Sequence, residues 1–178
     1  MGHIVLERLD RLDLPAVQAL LLACGEPLVT ASGCRTAAEV AQALFGCRPD
    51  GVSPVDKHVL GVCDPATREL MGVVEAIAGY PDPSTLTLGL FVLSPFHADG
   101  PLRDDVQQQV EVWAARRGHR RLRIAIHAIS LALLDSWRKA GFTPEGDPIR
   151  DGRRLVVVFE KRLSSGGPES ATPLRRPL

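Results

Sequence analysis

"LFVLSPFHADGPLRDDVQQQVEVWAARRG", Leu90 to Gly118, contains a change of period. Up to Leu93 the apolar residues run unbroken and close a strand signal, Thr85–Leu93. From Leu102 they recur at Val106, Val110 and Trp113, the spacing of one helix face. Arg116 and Arg117 suit the negative end of that helix, and Gly118 stops it. Leu122–Ile126 then reads as a second strand. Two strands joined through a helix should lie side by side and parallel, with a loop and a helix start at the carboxyl end of the first.

Downstream, Ser130 caps a helix with Leu133, Leu134, Trp137 and Ala140 on one side, ended by Gly141. Phe142–Ile149 and Leu155–Phe159 are extended stretches joined through Asp151-Gly152, a hairpin signal. Upstream, His3–Leu9 reads as a strand, Asp13 as the cap of a helix with Val17, Leu20 and Leu21 on one face, and Thr36 as the cap of a second through Leu44. His58–Cys63 and Leu70–Ala78 are strands that form a hairpin. The order β-α-α-β-β-β-α-β-α-β-β predicts an α/β (α+β) fold. Its sheet is mixed, mostly antiparallel, of about seven strands flanked by about four helices. Residues 1–163 read as a single domain, and the Ser-, Gly- and Pro-rich stretch 164–178 as a disordered tail.

The 178 residues carry 21 Lys+Arg and 21 Asp+Glu, a formal net charge of +0. That balance gives no electrostatic reason to expect nucleic acid or an anionic membrane as partner. The longest apolar stretch, Ala19–Cys24, is too short for a membrane span or a signal peptide, so a cytoplasmic protein is expected. Cys24, Cys34, Cys47 and Cys63 show no Cys-x-x-Cys spacing, which predicts reduced thiols and no metal.

Two segments carry a family resemblance. Leu90–Gly118 is similar to the strand, proline, glycine loop and coenzyme-binding helix of the GCN5-related N-acetyltransferases (GNAT). "RRLRIAIHAISLALLDSWRKAGFTPEG", Arg120–Gly146, is similar to that family's next strand and helix, ending in the Gly-Phe that closes the helix. The resemblance spans His3–Leu163 and implies acyl transfer from acetyl-CoA, or another acyl-CoA, to an amine of a small molecule or peptide. It implies that the parallel strands part near Leu93, that pantetheine pairs with backbone there, and that the loop and helix start hold the pyrophosphate. Leu93, Gly100, Leu102, Arg103 and Ser130 are the coenzyme-binding candidates by this carry-over.

The departures from the family pattern concern charge and acid chemistry. The family loop reads (Arg/Gln)-x-x-Gly-x-(Gly/Ala); either register here keeps at most one glycine, and Pro101 lacks an N–H. Asp99, Asp104 and Asp105 would repel a pyrophosphate, eased by Arg103. Ser130 stands where the family has a coenzyme-bonding asparagine. Trp137 stands where a tyrosine protonates the departing thiolate, which indole N–H does not do.

Glu75 and His127 are the catalytic candidates. Glu75, mid-strand, either faces the acceptor cleft as a general base or points to solvent; alternation alone does not choose. His127, at a strand end beside the gap, is a base, a substrate contact or an ordinary partly exposed histidine. Tyr80 and His97 are weaker candidates on bordering loops. The basic cluster Arg116, Arg117, Arg120, Arg121 and Arg123 reads as a solvated helix end and edge. Two functions follow: an acyl-CoA-dependent N-acyltransferase, or a GNAT-fold binding or dimerisation module with weak or no affinity for CoA. A homodimer is open in either.

Overall fold

The computed structural model describes residues 4–25, 36–97, 100–127, 131–151 and 154–164. Among these residues are four α-helices and eight strands. Strand β1 (Val5–Arg8) leads into helices α1 (Leu14–Cys24) and α2 (Ala37–Gly46). Strands β2 (Lys57–Cys63), β3 (Leu70–Ala78) and β4 (Thr85–Leu93) follow as an antiparallel meander. Helix α3 (Pro101–Arg116), strand β5 (Arg121–His127), helix α4 (Leu131–Lys139) and the short β6 (Thr143–Pro144), β7 (Ile149–Asp151) and longer β8 (Arg154–Arg162) complete it. The sheet order is β1-β2-β3-β4-β5-β8-β6, with β7 also on β8. Among the described residues only β4 and β5 are parallel, as the α3 crossover requires.

The helix starts obey local chemistry. Thr36 Oγ1 accepts from Glu39 N (3.2 Å) while Glu39 Oε2 accepts from Thr36 N (2.9 Å), a reciprocal cap on α2. Asp10 and Asp13 make the same exchange one turn before α1, so Asp13 closes that turn and makes no side-chain cap bond to α1 itself. Pro101 occupies the first turn of α3, where its missing N–H costs nothing. The predicted strand 142–149 is instead two short pieces, β6 and β7. Pro144, Gly146 and Pro148 interrupt it, and proline cannot donate to a ladder. Beyond it, β7 and β8 close the expected hairpin with Asp151 opposite Arg154. The tail expected from residue 164 lies, from residue 165, outside the described residues.

Helices cover both faces of the sheet. One face packs Val59, Val73 and Val92 under α1 and α2, with Val17, Leu21, Val40 and Leu44. The other packs Leu60, Val74, Leu88, Leu122 and Ile124 under α3 and α4, with Val106, Val110, Trp113 and Trp137. Successive strand residues point to opposite faces, so a strand covered on both sides reads as an unbroken apolar run. That double cover explains why β2 to β4 show no clean alternation in sequence. Among the described residues, no helix is long and apolar enough to cross a membrane.

His58 on β2 meets the Trp113 indole edge-on at 5.1 Å, and Arg117 lies over the same indole at 4.1 Å. Burial, then the cations Arg8 and Arg117, pull the His58 imidazole down to about 4. The folded state therefore holds His58 neutral where the unfolded chain, titrating near 6.5, already takes up a proton. Its contribution to stability is complete above pH 6.5 and is lost as pH falls toward about 4. Denaturant midpoints measured across this window should fall with pH, and His58→Phe should flatten the slope; an unaltered slope refutes the assignment.

Gly72 on β3 is sterically required. A Cβ there would sit 2.5 Å from Leu93 Cδ2 and 2.7 Å from the Val92 carbonyl oxygen. Because the backbone oxygen cannot swing aside, Gly72→Ala should cost about 1–3 kcal/mol. Urea unfolding would show this as a lower midpoint at unchanged slope.

Candidate functional site

Strands β4 and β5 pair from Thr85↔Arg121 to Leu88↔Ile124, and their ladder ends there. The cause lies on the other edge of β4. Glu75 is opposite Leu90, yet the next residue, Ala76, is opposite Leu88, so Gly89 is an extra residue. Such a bulge bends its strand. Meanwhile β5 stays paired with β8 as far as His127↔Val156. The two strands therefore part at Gly89, four residues before the expected place near Leu93.

Register fixes which backbone groups face the gap. Ser94 N donates to Met71 O (2.8 Å), so Ser94 and, by the two-residue period, Val92 bond to β3. The N–H and C=O of Phe91 and Leu93 point the other way, into the gap. On β5, Leu163 N donates to Arg120 O (2.8 Å), which by the same period turns the backbone of Ala125 and His127 toward β4. The Leu93 carbonyl also accepts from Cys24 Sγ at 3.5 Å. Burial raises the Cys24 thiol above its ordinary range and pushes Cys63 up to about 11, so neither is a ready nucleophile.

A cavity of about 550 Å³ passes through the sheet at this gap. Its floor is Gly89–Phe91 and Ile124–His127; Val40, Ala43 and Leu44 of α2 wall one side, and Arg103, Leu133 and Trp137 the other. Both catalytic candidates, Glu75 and His127, line it, as does Arg103. Glu75 follows Val73 by two residues and so lies on the α2 face of the sheet. Its carboxylate lies under Gly89, where any Cβ would overlap it. His127 is on the α2 face as well, opposite in phase to Ile124 and Ile126, and its buried Nδ1 has no hydrogen-bond partner.

The electrostatics centre on Lys57, which the sequence reading did not single out. Its ammonium is 2.7 Å from Glu75 Oε1, donates to Ala43 O at 3.1 Å and also donates to Cys47 O. The side chains are only 9% and 16% exposed, so this pair is largely desolvated. The two carbonyls belong to the last turn and cap of α2, the negative end of that helix.

At the opposite mouth, Arg103 lies 4.9 Å over the Trp137 ring, which is 3% exposed and meets Phe91 (5.5 Å) and Phe142 (5.0 Å) edge-on. Trp137 is thus both core and cavity wall. Gly100 precedes α3 and, having no side chain, makes no side-chain cap; a Cβ there would meet nothing within 4 Å among the described residues. Leu102 is partly buried against the core and contributes only backbone to that helix start. Asp104 is exposed in the first turn. His97 Nδ1 pairs with Ser94 Oγ (3.0 Å) inside the loop, and Tyr80 O accepts from Thr87 Oγ1 (2.6 Å); neither residue lines the cavity. Asp99 and Ser130 lie outside the described residues. The basic cluster is engaged in structural contacts: Arg121 with Asp82 and Glu160, Arg123 with Glu145, Arg117 on Trp113. Among the described residues no group of His, Cys, Asp and Glu could hold a metal.

No family model matches the chain, and no curated protein matches it in sequence. Solved structures do match it. A protein of Desulfovibrio desulfuricans assigned to the GNAT family superposes with a TM-score of 0.70 at 15% identity, covering 91% of this chain and 100% of that one. Spermidine N-acetyltransferase from Vibrio cholerae, solved with CoA and spermine, gives 0.69 at 14%, covering 93% and 98%. The ribosomal-protein-S18-alanine N-acetyltransferase of Escherichia coli gives 0.64 at 14%, covering 96% and 100%. The chain has the GNAT fold.

Removing one partner of a buried pair leaves the other charge uncompensated. Lys57→Met should cost roughly 3 kcal/mol, and Lys57→Met with Glu75→Leu should recover most of it. A double mutant no more stable than the single would show that the pair is not coupled as drawn.

Proposed function

We propose that this protein transfers an acyl group, acetyl in the simplest case, from acyl-CoA to a primary amine. The observation that carries the reading is the gap itself: beyond Leu88 the β4 backbone has no ladder partner on β5, and Phe91 lines the cavity that opens there. An extended amide-bearing chain can pair there as a substitute strand. The α3 start at Gly100, with the N–H groups beyond Pro101, suits the pyrophosphate, and Arg103 adds charge. A solved neighbour with the same fold holds CoA. Asp104 weakens this end of the site by repulsion, but it is exposed and screened.

The roles of the residues follow from placement. The amine enters from the α2 side, where Glu75 and His127 lie. Glu75 Oε1 is engaged by Lys57, so Oε2, beneath Gly89, is the free oxygen that takes the proton from the entering ammonium. The amine nitrogen then attacks the thioester carbonyl carbon; the C–N bond forms, the C–S bond breaks, and the proton that the nitrogen sheds in becoming an amide reaches the thiolate through water. His127 is a substrate contact or a second base. The free Cys24, Cys47 and Cys63 accord with a cytoplasmic setting. The runner-up, a binding module of the same fold, rests on Asp104 and the single loop glycine.

Acetyl-CoA at one hundred times its dissociation constant should stabilise the fold by about 2.7 kcal/mol, read as a thermal shift. Glu75→Gln should keep that shift and lower kcat/KM for the amine about a hundredfold or more. No shift at millimolar acetyl-CoA would overturn the enzyme reading in favour of the binding module.

A further inference from the structure

Val40, Ala43 and Leu44 of α2, with Ile77 of β3 and Leu90 of β4, make the α2 half of the cavity an apolar wall. Glu75 is the only carboxylate among the described residues that line the cavity, and Lys57 already neutralises it. The remaining charges are cationic: Arg48 at the α2 mouth and Arg103 at the other. Arg48 is exposed and uses its Nε to donate to Val52 O at 2.9 Å.

We infer that the acceptor is a monoamine carried on a compact, uncharged apolar body, and that polyamines are excluded. This rests on the acyltransferase reading. An acceptor with a single ammonium loses its charge to Glu75 as it enters, and what remains buries apolar surface against α2. A polyamine brings one or more further ammonium groups, which reaction does not remove. Buried ammonium groups are costly unless paired with carboxylates, and among the described residues this wall offers none that is unpaired. Arg48 adds repulsion at the entrance. The site therefore differs in charge logic from what a spermidine acceptor requires, although a spermidine N-acetyltransferase shares the fold.

The test is a competition between 2-phenylethylamine and spermidine as acceptors with acetyl-CoA, followed by release of free thiol. Direct binding of each amine to the CoA-saturated protein is measured by calorimetry in parallel. The expected result is a kcat/KM for 2-phenylethylamine at least tenfold above that for spermidine, with the same order in binding. Arg48→Glu, on an exposed side chain, should narrow the ratio about tenfold by giving the second ammonium a partner; Ala43→Glu should act in the same direction from inside the wall. Spermidine equal or preferred in the wild-type protein, or neither amine bound, overturns the inference. An acetyl-CoA thermal shift accompanied by spermidine preference would sink this inference alone, whereas absence of the shift would sink the acyltransferase reading beneath it.

Discussion

One extra residue in β4 governs the site. Up to Leu88, β4 satisfies β3 on one edge and β5 on the other. Gly89 adds a residue with no counterpart on β3, and the bend that follows takes β4 away from β5. Strand β5 cannot follow, because it is tied to β8 along its full length from Arg121 to His127. The separation leaves backbone donors and acceptors without a ladder partner, and such groups need water or a ligand strand to satisfy them. An edge that would be a liability in an ordinary sheet is here enclosed between α2 and α4, as the wall of a cavity.

The same residue also explains the charge in the cavity. With no side chain at Gly89, the Glu75 carboxylate can lie against the bulge instead of being expelled from the sheet. A carboxylate so placed requires compensation, and Lys57 supplies it with a geometry that uses all three ammonium hydrogens: Glu75, Ala43 O and Cys47 O. Thus a single side chain links β2 to β3 and to the carboxyl end of α2. The acceptor wall and the candidate base are held in register by that link, so the position of α2 and the position of Glu75 are not independent.

Much of the fold was legible because it is encoded locally. The cap at Thr36, the change of period after Leu93 and the stop at Gly118 each follow from a few neighbouring residues, whereas the cap expected at Asp13 is an Asp10–Asp13 exchange one turn earlier. The candidate site was legible only in part. Glu75, His127 and Arg103 were named from the sequence, and all three border one cavity. The face of Glu75 was not readable, since β2 to β4 are covered on both sides and their apolar runs lose the alternation that would have told it. Lys57 was missed because its partners lie 10, 14 and 18 positions away and no motif links them. Gly89 did carry a signal, a lone glycine inside the strand "TLTLGLFVL", which is a recognised mark of a bulge.

By itself, the sequence determined where the helices and most strands lie to within a few residues, and that β4 and β5 must run parallel, because propensity, capping and crossover handedness act over short stretches of chain. It also determined the chemistry on offer at two positions, an indole at Trp137 and a proline at the first turn of α3. Only the tertiary structure decided where the parallel pair separates, which oxygen of Glu75 faces Lys57, and that the α2 wall carries no unpaired carboxylate among the described residues. Those properties depend on how β3, β8 and α2 compete for the edges and faces of the same two strands, and competition between distant segments is settled by packing.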